Sequence, residues 1–222
     1  MTRYLLRLVQ IYSYLNGQSE MQVQNDLFKS AFWRKVTKGK IYYDPHFLKH
    51  LDADRYFSQL RATLPWRQES IIMFGRTVLQ PHLQAWHGDA AYTYSGLTMT
   101  PHAWTPELIE LKTRSEAIAE VSFNSVLANL YRHGQDSMGW HQDNEPELGT
   151  NPVIASINLG ETRRFVLRNL QCKTQLEYEL SHGSLLIMAG ELQHHWKHAV
   201  PKTAKPKGER INLTFRNIVP NN

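Results

Sequence analysis

Three short segments carry side chains able to hold a metal and an anion. His141-Gln142-Asp143 sets an imidazole and a carboxylate at i and i+2, which on an extended segment point to the same face. Both can then reach one metal, although with 11 His in the chain such a pair also arises by chance. A third ligand has to come from elsewhere, and His194, His195 and His198 cluster in one short run. Two imidazoles and one carboxylate on one side of a metal leave three positions open, the arrangement of non-haem iron(II) oxygenases. The third segment, Arg210 to Arg216, alternates strictly. Arg210, Asn212, Thr214 and Arg216 share one face, and Ile211, Leu213 and Phe215 share the other. If the apolar face is core, two guanidinium groups point into the protein, where an unpaired charge is costly. A bound dicarboxylate would neutralise them in bidentate fashion. Asp or Glu on neighbouring strands would do so as well. Asn129 and Tyr131 share a face of a further extended run and could hydrogen-bond the same oxoacid.

The elements that must position these residues come in two kinds. Ala53, Tyr56, Phe57, Leu60 and Leu64 repeat at helical spacing, so 52–64 reads as an amphipathic helix ended by Pro65. Thr105 as N-cap, Pro106 at the first helical position and Glu107 in the first turn start a second helix. It runs to about Ile118 and buries Leu108, Leu111 and Ile118. Short β-like runs follow at 123–131, 153–158, 164–168, 175–179, 184–188 and 210–218, separated by turn residues. Helices followed by many short strands predict an α+β fold, a jelly roll with the helices packed against it.

Bulk composition limits the remaining choices. A chain of 222 residues that is 41% hydrophobic is globular and large enough for one cored domain. Residues 1–40 hold seven Lys or Arg against Glu20 and Asp26, which accounts for the whole formal charge of +5. This predicts a basic extension over 1–44, either a phosphate-contacting arm or a solvated leader, ahead of a catalytic domain over 45–222. Cys172 is the single cysteine, so no internal disulfide or multi-cysteine zinc site exists, and a reducing, cytoplasmic setting is expected (nuclear in a eukaryote). The run Tyr4–Leu15 is too short and too polar to span a bilayer.

Taken together, these segments resemble the AlkB family, within its nucleic-acid repair branch. The resemblance is carried by Asn129-Leu130-Tyr131, by Gly139-Trp140-His141-Gln142-Asp143 and its continuation to Gly149, by Trp196-Lys197-His198-Ala199-Val200-Pro201, and by the Arg210–Arg216 strand. Trp86-His87-Gly88-Asp89 and Tyr92-Thr93-Tyr94-Ser95-Gly96 also fit, and the whole extends from about Pro45 to Ile218.

This likeness implies a double-stranded β-helix holding iron(II) at His141, Asp143 and His198. His198 is preferred to its neighbours because it stands in Trp-x-His ahead of Val-Pro. Asn129, Tyr131, Arg210 and Arg216 resemble the contacts to 2-oxoglutarate, with Arg210 on the distal carboxylate and Arg216 near the chelating end. Tyr92, Tyr94 and Glu145 resemble the lining of a base pocket, and Met73-Phe74-Gly75 a tip inserted into the stack when a base is flipped. The reaction implied is oxidative demethylation of 1-methyladenine and 3-methylcytosine in DNA, or in RNA, with O2 consumed and formaldehyde, succinate and CO2 released. Methylated DNA is the expected partner, with no membrane and a monomeric state. The other readings are a same-fold oxygenase acting on RNA or protein, a non-catalytic nucleic-acid-binding module, and a cupin-like hydrolase. His82, His133 and Asn144 depart from the family pattern, and the loop from Asp89 to Tyr92 is short.

Overall fold

A computed structural model describes residues 31–73, 76–89, 92–94 and 97–219, with backbone alone for 71–73, 92–94 and 97–99. The elements run β1 (Phe32–Val36), β2 (Gly39–Asp44), α1 (His50–Thr63), β3 (Ser70–Met73), β4 (Arg76–Leu79), β5 (Leu83–Gly88), β6 (Tyr92–Tyr94) and β7 (Leu97–Met99). Then follow α2 (Pro106–Ala119), β8 (Ser125–Tyr131), β9 (Met138–His141), a single 3-10 turn (Pro146–Leu148), β10 (Ile154–Gly160), β11 (Arg163–Asn169) and β12 (Gln175–Leu180). The chain closes with β13 (Ser184–Ala189), α3 (Leu192–His195), β14 (Trp196–Val200) and β15 (Arg210–Arg216).

Two antiparallel sheets make the body. The major sheet has the order β1-β2-β13-β10-β15-β8-β5 and the minor sheet β12-β11-β14-β9. Two hairpins, β3-β4 and β6-β7, stand apart from both. Strand alternation assigns each face of the major sheet. Ala155, Ile157, Leu185, Ile187, Ile211, Leu213 and Phe215 pack with Tyr56 and Leu60 of α1 and with Leu108 and Leu111 of α2. Ile154, Leu186 and Met188 instead pack with Phe165, Leu167, Trp196 and Val200 of the minor sheet. The structure is therefore the jelly-roll sandwich with helices on one side that the pattern of elements predicts.

The helices form where the sequence places them. Thr105 accepts a hydrogen bond from the Leu108 amide at 3.3 Å and Pro106 opens α2, while Glu120 ends it in the left-handed conformation at φ 57°. Ile118, expected in the core, is half-buried, and Ala119 occupies the buried position instead. α1 begins at His50, two residues before the expected start, without a side-chain cap.

The last part of the basic N-terminal stretch, left without a structural assignment by the sequence, is sheet. Residues 32–44, read there as part of a basic extension, form the β1-β2 hairpin, and β2 pairs with β13 from Lys40↔Ala189 to Asp44↔Leu185. Ile41 joins the core between the sheets, while Trp33 and Tyr42 join the helix-side core. The dense lysines and arginines obscure the short strand Lys40-Ile41-Tyr42-Tyr43-Asp44, whose Ile41 finds its core partners in distant chain segments.

Candidate metal centre

His141 ends β9, and Asp143 lies two residues on in the following loop. β14 pairs with β9 so that His198 stands directly opposite His141, with ring centroids 4.2 Å apart. The Asp143 carboxylate reaches His198 Nε2 at 3.5 Å. The ligand atoms of His141, Asp143 and His198 all lie within 4.8 Å of one another. Asp143 and His198 are buried, at 2% and 3% exposure, so no bulk water shields the Asp143 carboxylate. His194 is exposed and bonded to the Thr150 carbonyl, and His195 faces Glu191 at 3.2 Å. Of the three clustered histidines, only His198 meets the H-x-D pair, because the chain leaves α3 and enters β14 between His195 and His198.

The surroundings suit the triad to a cation. His141 Nδ1 lies 2.8 Å from the Gly139 carbonyl, which only an N–H at that position can satisfy. This leaves the Nε2 lone pair for a metal. Burial and the neighbouring His198 draw the His141 imidazole down to about 4, so it is neutral near pH 7. Desolvation works to raise the Asp143 carboxyl, but the Arg216 guanidinium and the two imidazoles outweigh it and hold the group well below the usual carboxylate range. Both states are those a metal ligand requires. His198 Nδ1 is buried without a hydrogen-bond partner. Two imidazoles and one carboxylate form the donor set of a facial iron(II) site.

Gln193 was not singled out in the sequence. Its side chain accepts from the Asp143 amide at 3.0 Å, and its carbonyl accepts from Gln142 Nε2 at 2.7 Å. It is fully buried on α3, so it ties the loop carrying Asp143 to the strand carrying His198. No motif marks it, since a glutamine before two histidines has no chemistry of its own.

The second half of the site lies on the inner face of the major sheet. β15 pairs with β8 so that Arg210 opposes Tyr131 and Asn212 opposes Asn129. Arg210 is buried at 1% exposure; its Nη2 donates to Asn158 Oδ1 at 2.6 Å, while Nε and Nη1 lack hydrogen-bond partners. Its guanidinium lies 4.8 Å above the Tyr131 ring. Burial lowers this group to about 10, with repulsion from Arg163 adding to the effect. Asn129 Oδ1 is also buried and unpaired. Arg216 has a different setting, donating to Asp143 Oδ1 at 2.8 Å. The two arginines, read together in the sequence as a clamp, thus divide: Arg216 braces a metal ligand, and Arg210 remains without a carboxylate. Asn212, Ser156 and Thr214 link into a buried hydrogen-bonded row between them.

The residues read as a base pocket are less fully placed. Glu145 is half-buried and precedes the 3-10 turn, where its carbonyl accepts from Leu148 N at 2.9 Å. Tyr92 and Tyr94 sit on β6, and Met73 ends β3, described by backbone alone. Phe74 and Gly75 lie outside the described residues. A second metal-like group, His50, Asp54 and His182, fails a chemical test. His182 Nδ1 accepts from Gly160 N at 2.7 Å, so in the neutral ring Nε2, 3.3 Å from Asp54, carries the proton and has no lone pair for a metal.

A double-stranded β-helix with a two-histidine, one-carboxylate centre and a buried, uncompensated arginine defines the class of iron(II)- and oxoacid-dependent oxygenases. The family profile described as the 2OG-Fe(II) oxygenase superfamily matches residues 40–216. Alpha-ketoglutarate-dependent dioxygenase alkB homolog 3 of Bos taurus is 43% identical over 186 residues, covering 79% of this chain and 65% of that protein. The DNA oxidative demethylase ALKBH2 of Mus musculus is 34% identical over 206 residues, covering 86% of each. Among solved structures, one titled "The structure of OsALKBH1" aligns with a TM-score of 0.57 at 19% identity, over 84% of this chain and all of that one. A Pseudomonas putida prolyl-4-hydroxylase aligns at 0.53 and 15% identity, over 80% of this chain and 92% of that one, so the fold reaches beyond the sequence likeness. The chain belongs to the AlkB family of 2-oxoglutarate- and iron(II)-dependent oxygenases.

Proposed function

We propose that this chain removes N-methyl groups oxidatively from alkylated bases in nucleic acid, using iron(II), 2-oxoglutarate and O2. The observation that carries this reading is Arg210, a buried guanidinium with two unmatched donors on the face that also bears Asn129, Tyr131 and Arg216. A five-carbon dicarboxylate with one end at the triad and the other at Arg210 would satisfy both. The printed names of the alkB homolog 3 and ALKBH2 relatives add the substrate class.

His141, Asp143 and His198 would hold iron(II), which when bound supplies the oxygen chemistry that a protein lacks. The protein's own groups do the rest. Arg216 keeps Asp143 ionised and fixed in orientation, and Gly139 fixes the ring of His141. Gln193 fixes the loop between these two ligands and His198. Arg210 and Tyr131 would bind the distal carboxylate, with Asn129 beside it. The buried face that carries Asn129, Tyr131 and Arg210 would exclude water from the oxoacid. Hydroxylation at that carbon leaves an N-hydroxymethyl base, which releases formaldehyde and regains its ring N. Tyr92 and Tyr94 would stack on the flipped base, with Glu145 near its positive charge, as suits cationic 1-methyladenine and 3-methylcytosine. Met73 and Phe74 would serve as the wedge that opens a duplex.

The test is formaldehyde release from oligonucleotides carrying single N-methyl lesions, with succinate counted in parallel. One formaldehyde per succinate on a methylated oligonucleotide, and none on the unmethylated strand, is the expected result. Succinate formation that no nucleic acid stimulates would overturn the substrate class while leaving the oxygenase reading intact. Among the described residues no helix is long and apolar enough to cross a membrane.

A further inference from the structure

Behind Tyr131 stands a wall that the proposed chemistry does not use. β5 pairs with β8 from Leu83↔Leu130 onward, so His82 continues the ladder opposite Tyr131. The two rings stack at 5.1 Å with an interplanar angle of 20°. His82 is wholly buried, and neither ring nitrogen has a partner at hydrogen-bond geometry, although the Ser137 backbone and the Asn129 amide lie beside it. An unmet buried polar atom carries a cost that an apolar ring of the same shape would avoid. The His82 ring lies beside Asn129, whose Oδ1 is likewise unmatched, and the Tyr131 ring contacts both His82 and Arg210.

The backbone beneath His82 is held equally firmly. Arg132 Nη2 donates to the Pro81 carbonyl at 2.8 Å, while the same guanidinium grips Asp136 at 2.8 and 3.1 Å. Arg163, also buried and 5.6 Å from the Tyr131 ring, donates to the carbonyls of His133, Asp136 and Pro201. Loop 132–136 and Pro81 thus form one hydrogen-bonded block against which His82 rests. Desolvation holds the imidazole down at about 4, so near pH 7 it adds no positive charge beside the two guanidiniums.

We propose that His82 is a positioning residue for the oxoacid: by stacking on Tyr131 it fixes where the phenol and Arg210 close the pocket, and so sets the chain length of the dicarboxylate accepted. This rests on the oxoglutarate reading above. A flat, rigid wall ends the pocket at one depth, whereas its loss would let Tyr131 retreat and admit one more methylene.

The test is an anaerobic titration of the iron(II)-loaded full chain, following the weak visible charge-transfer band, with 2-oxoglutarate and then with 2-oxoadipate. In His82→Ala and His82→Gln the 2-oxoglutarate concentration at half-saturation is expected to rise about tenfold, the scale of one lost aromatic contact. The preference for 2-oxoglutarate over 2-oxoadipate should fall by a similar factor. His82→Phe, which keeps the stack, should restore both to within about threefold of the parent. Iron(II) affinity without oxoacid should be unchanged in all three, which a general loosening of the site would not leave intact. Equal weakening of both oxoacids, or parental values in His82→Gln, would overturn the proposal. If the parent chain gives no band with 2-oxoglutarate, the oxoglutarate reading falls, and the proposal with it. If His82→Ala does not fold, His82→Gln and His82→Phe decide the matter by the same two ratios.

Discussion

Replacing Arg210 by methionine should make the metal-free, oxoacid-free protein no less stable while abolishing its affinity for 2-oxoglutarate. Burial draws the guanidinium from the ordinary 12.5 to about 10. Near pH 7 the group is charged in both folded and unfolded chains, so the full penalty is present. At about 1.36 kcal/mol per pH unit the shift corresponds to roughly 3 kcal/mol against folding. Offsetting this is the hydrogen bond to Asn158, worth about 1.5–3 kcal/mol for a charged donor. Methionine has similar length, carries no charge and keeps contact with the Tyr131 ring. The difference is a gain of about 0–2 kcal/mol for Arg210→Met. Urea unfolding of the apo proteins measures that figure, and the anaerobic charge-transfer titration measures the oxoacid. A loss of more than about 2 kcal/mol in the apo protein would mean that Arg210 is a structural cation with a partner inside the fold. Parental oxoglutarate binding in a folded Arg210→Met protein would remove the clamp altogether.

Three further outcomes follow from the same geometry. Asp143→Ala should abolish turnover and also destabilise the fold by about 3–5 kcal/mol, because Arg216 loses its buried carboxylate; Asp143→Ala with Arg216→Met should recover the stability but not the turnover, as denaturation and succinate assays on both would show. Gln193→Ala should weaken iron(II) binding about 10–100-fold with oxoacid affinity per loaded site unchanged, since it frees the Asp143 loop without touching the oxoacid pocket; competition with a chelator reads this directly. His82 is held neutral in the fold and is ordinary when unfolded, so its contribution is fully present above about pH 6.5 and is lost as pH falls toward about 4. Between about pH 7 and about pH 5, apo His82→Phe should therefore lose about 2 kcal/mol less stability than the parent, measured by urea unfolding at both values.

The local chemistry of this protein is written in the chain, because periods of two and of 3.6 residues decide which side chains share a face whatever lies nearby. The alternation of Arg210 to Arg216 predicts its own burial pattern, and the Thr105-Pro106-Glu107 cap predicts α2. The spacing of His141 and Asp143 predicts their convergence, and resemblance to a family adds His198. What distant segments do to one another has no such local signature. Register alone puts His198 opposite His141 and leaves His194 and His195 facing elsewhere. The same holds for the pairing of β2 with β13, which puts the end of an apparently basic extension, Lys40 to Asp44, into sheet. Packing decides that Arg216 meets Asp143 while Arg210 meets no carboxylate, a division that two arginines on one strand face cannot express. Gln193 stays silent in the sequence for the same reason, and His82 stands out there only as a departure from the family pattern, with no contact to give it a role. Gln193 acts through the loop that carries Asp143 and His82 through the Tyr131 ring, and these contacts exist only once segments about 50 residues apart lie side by side.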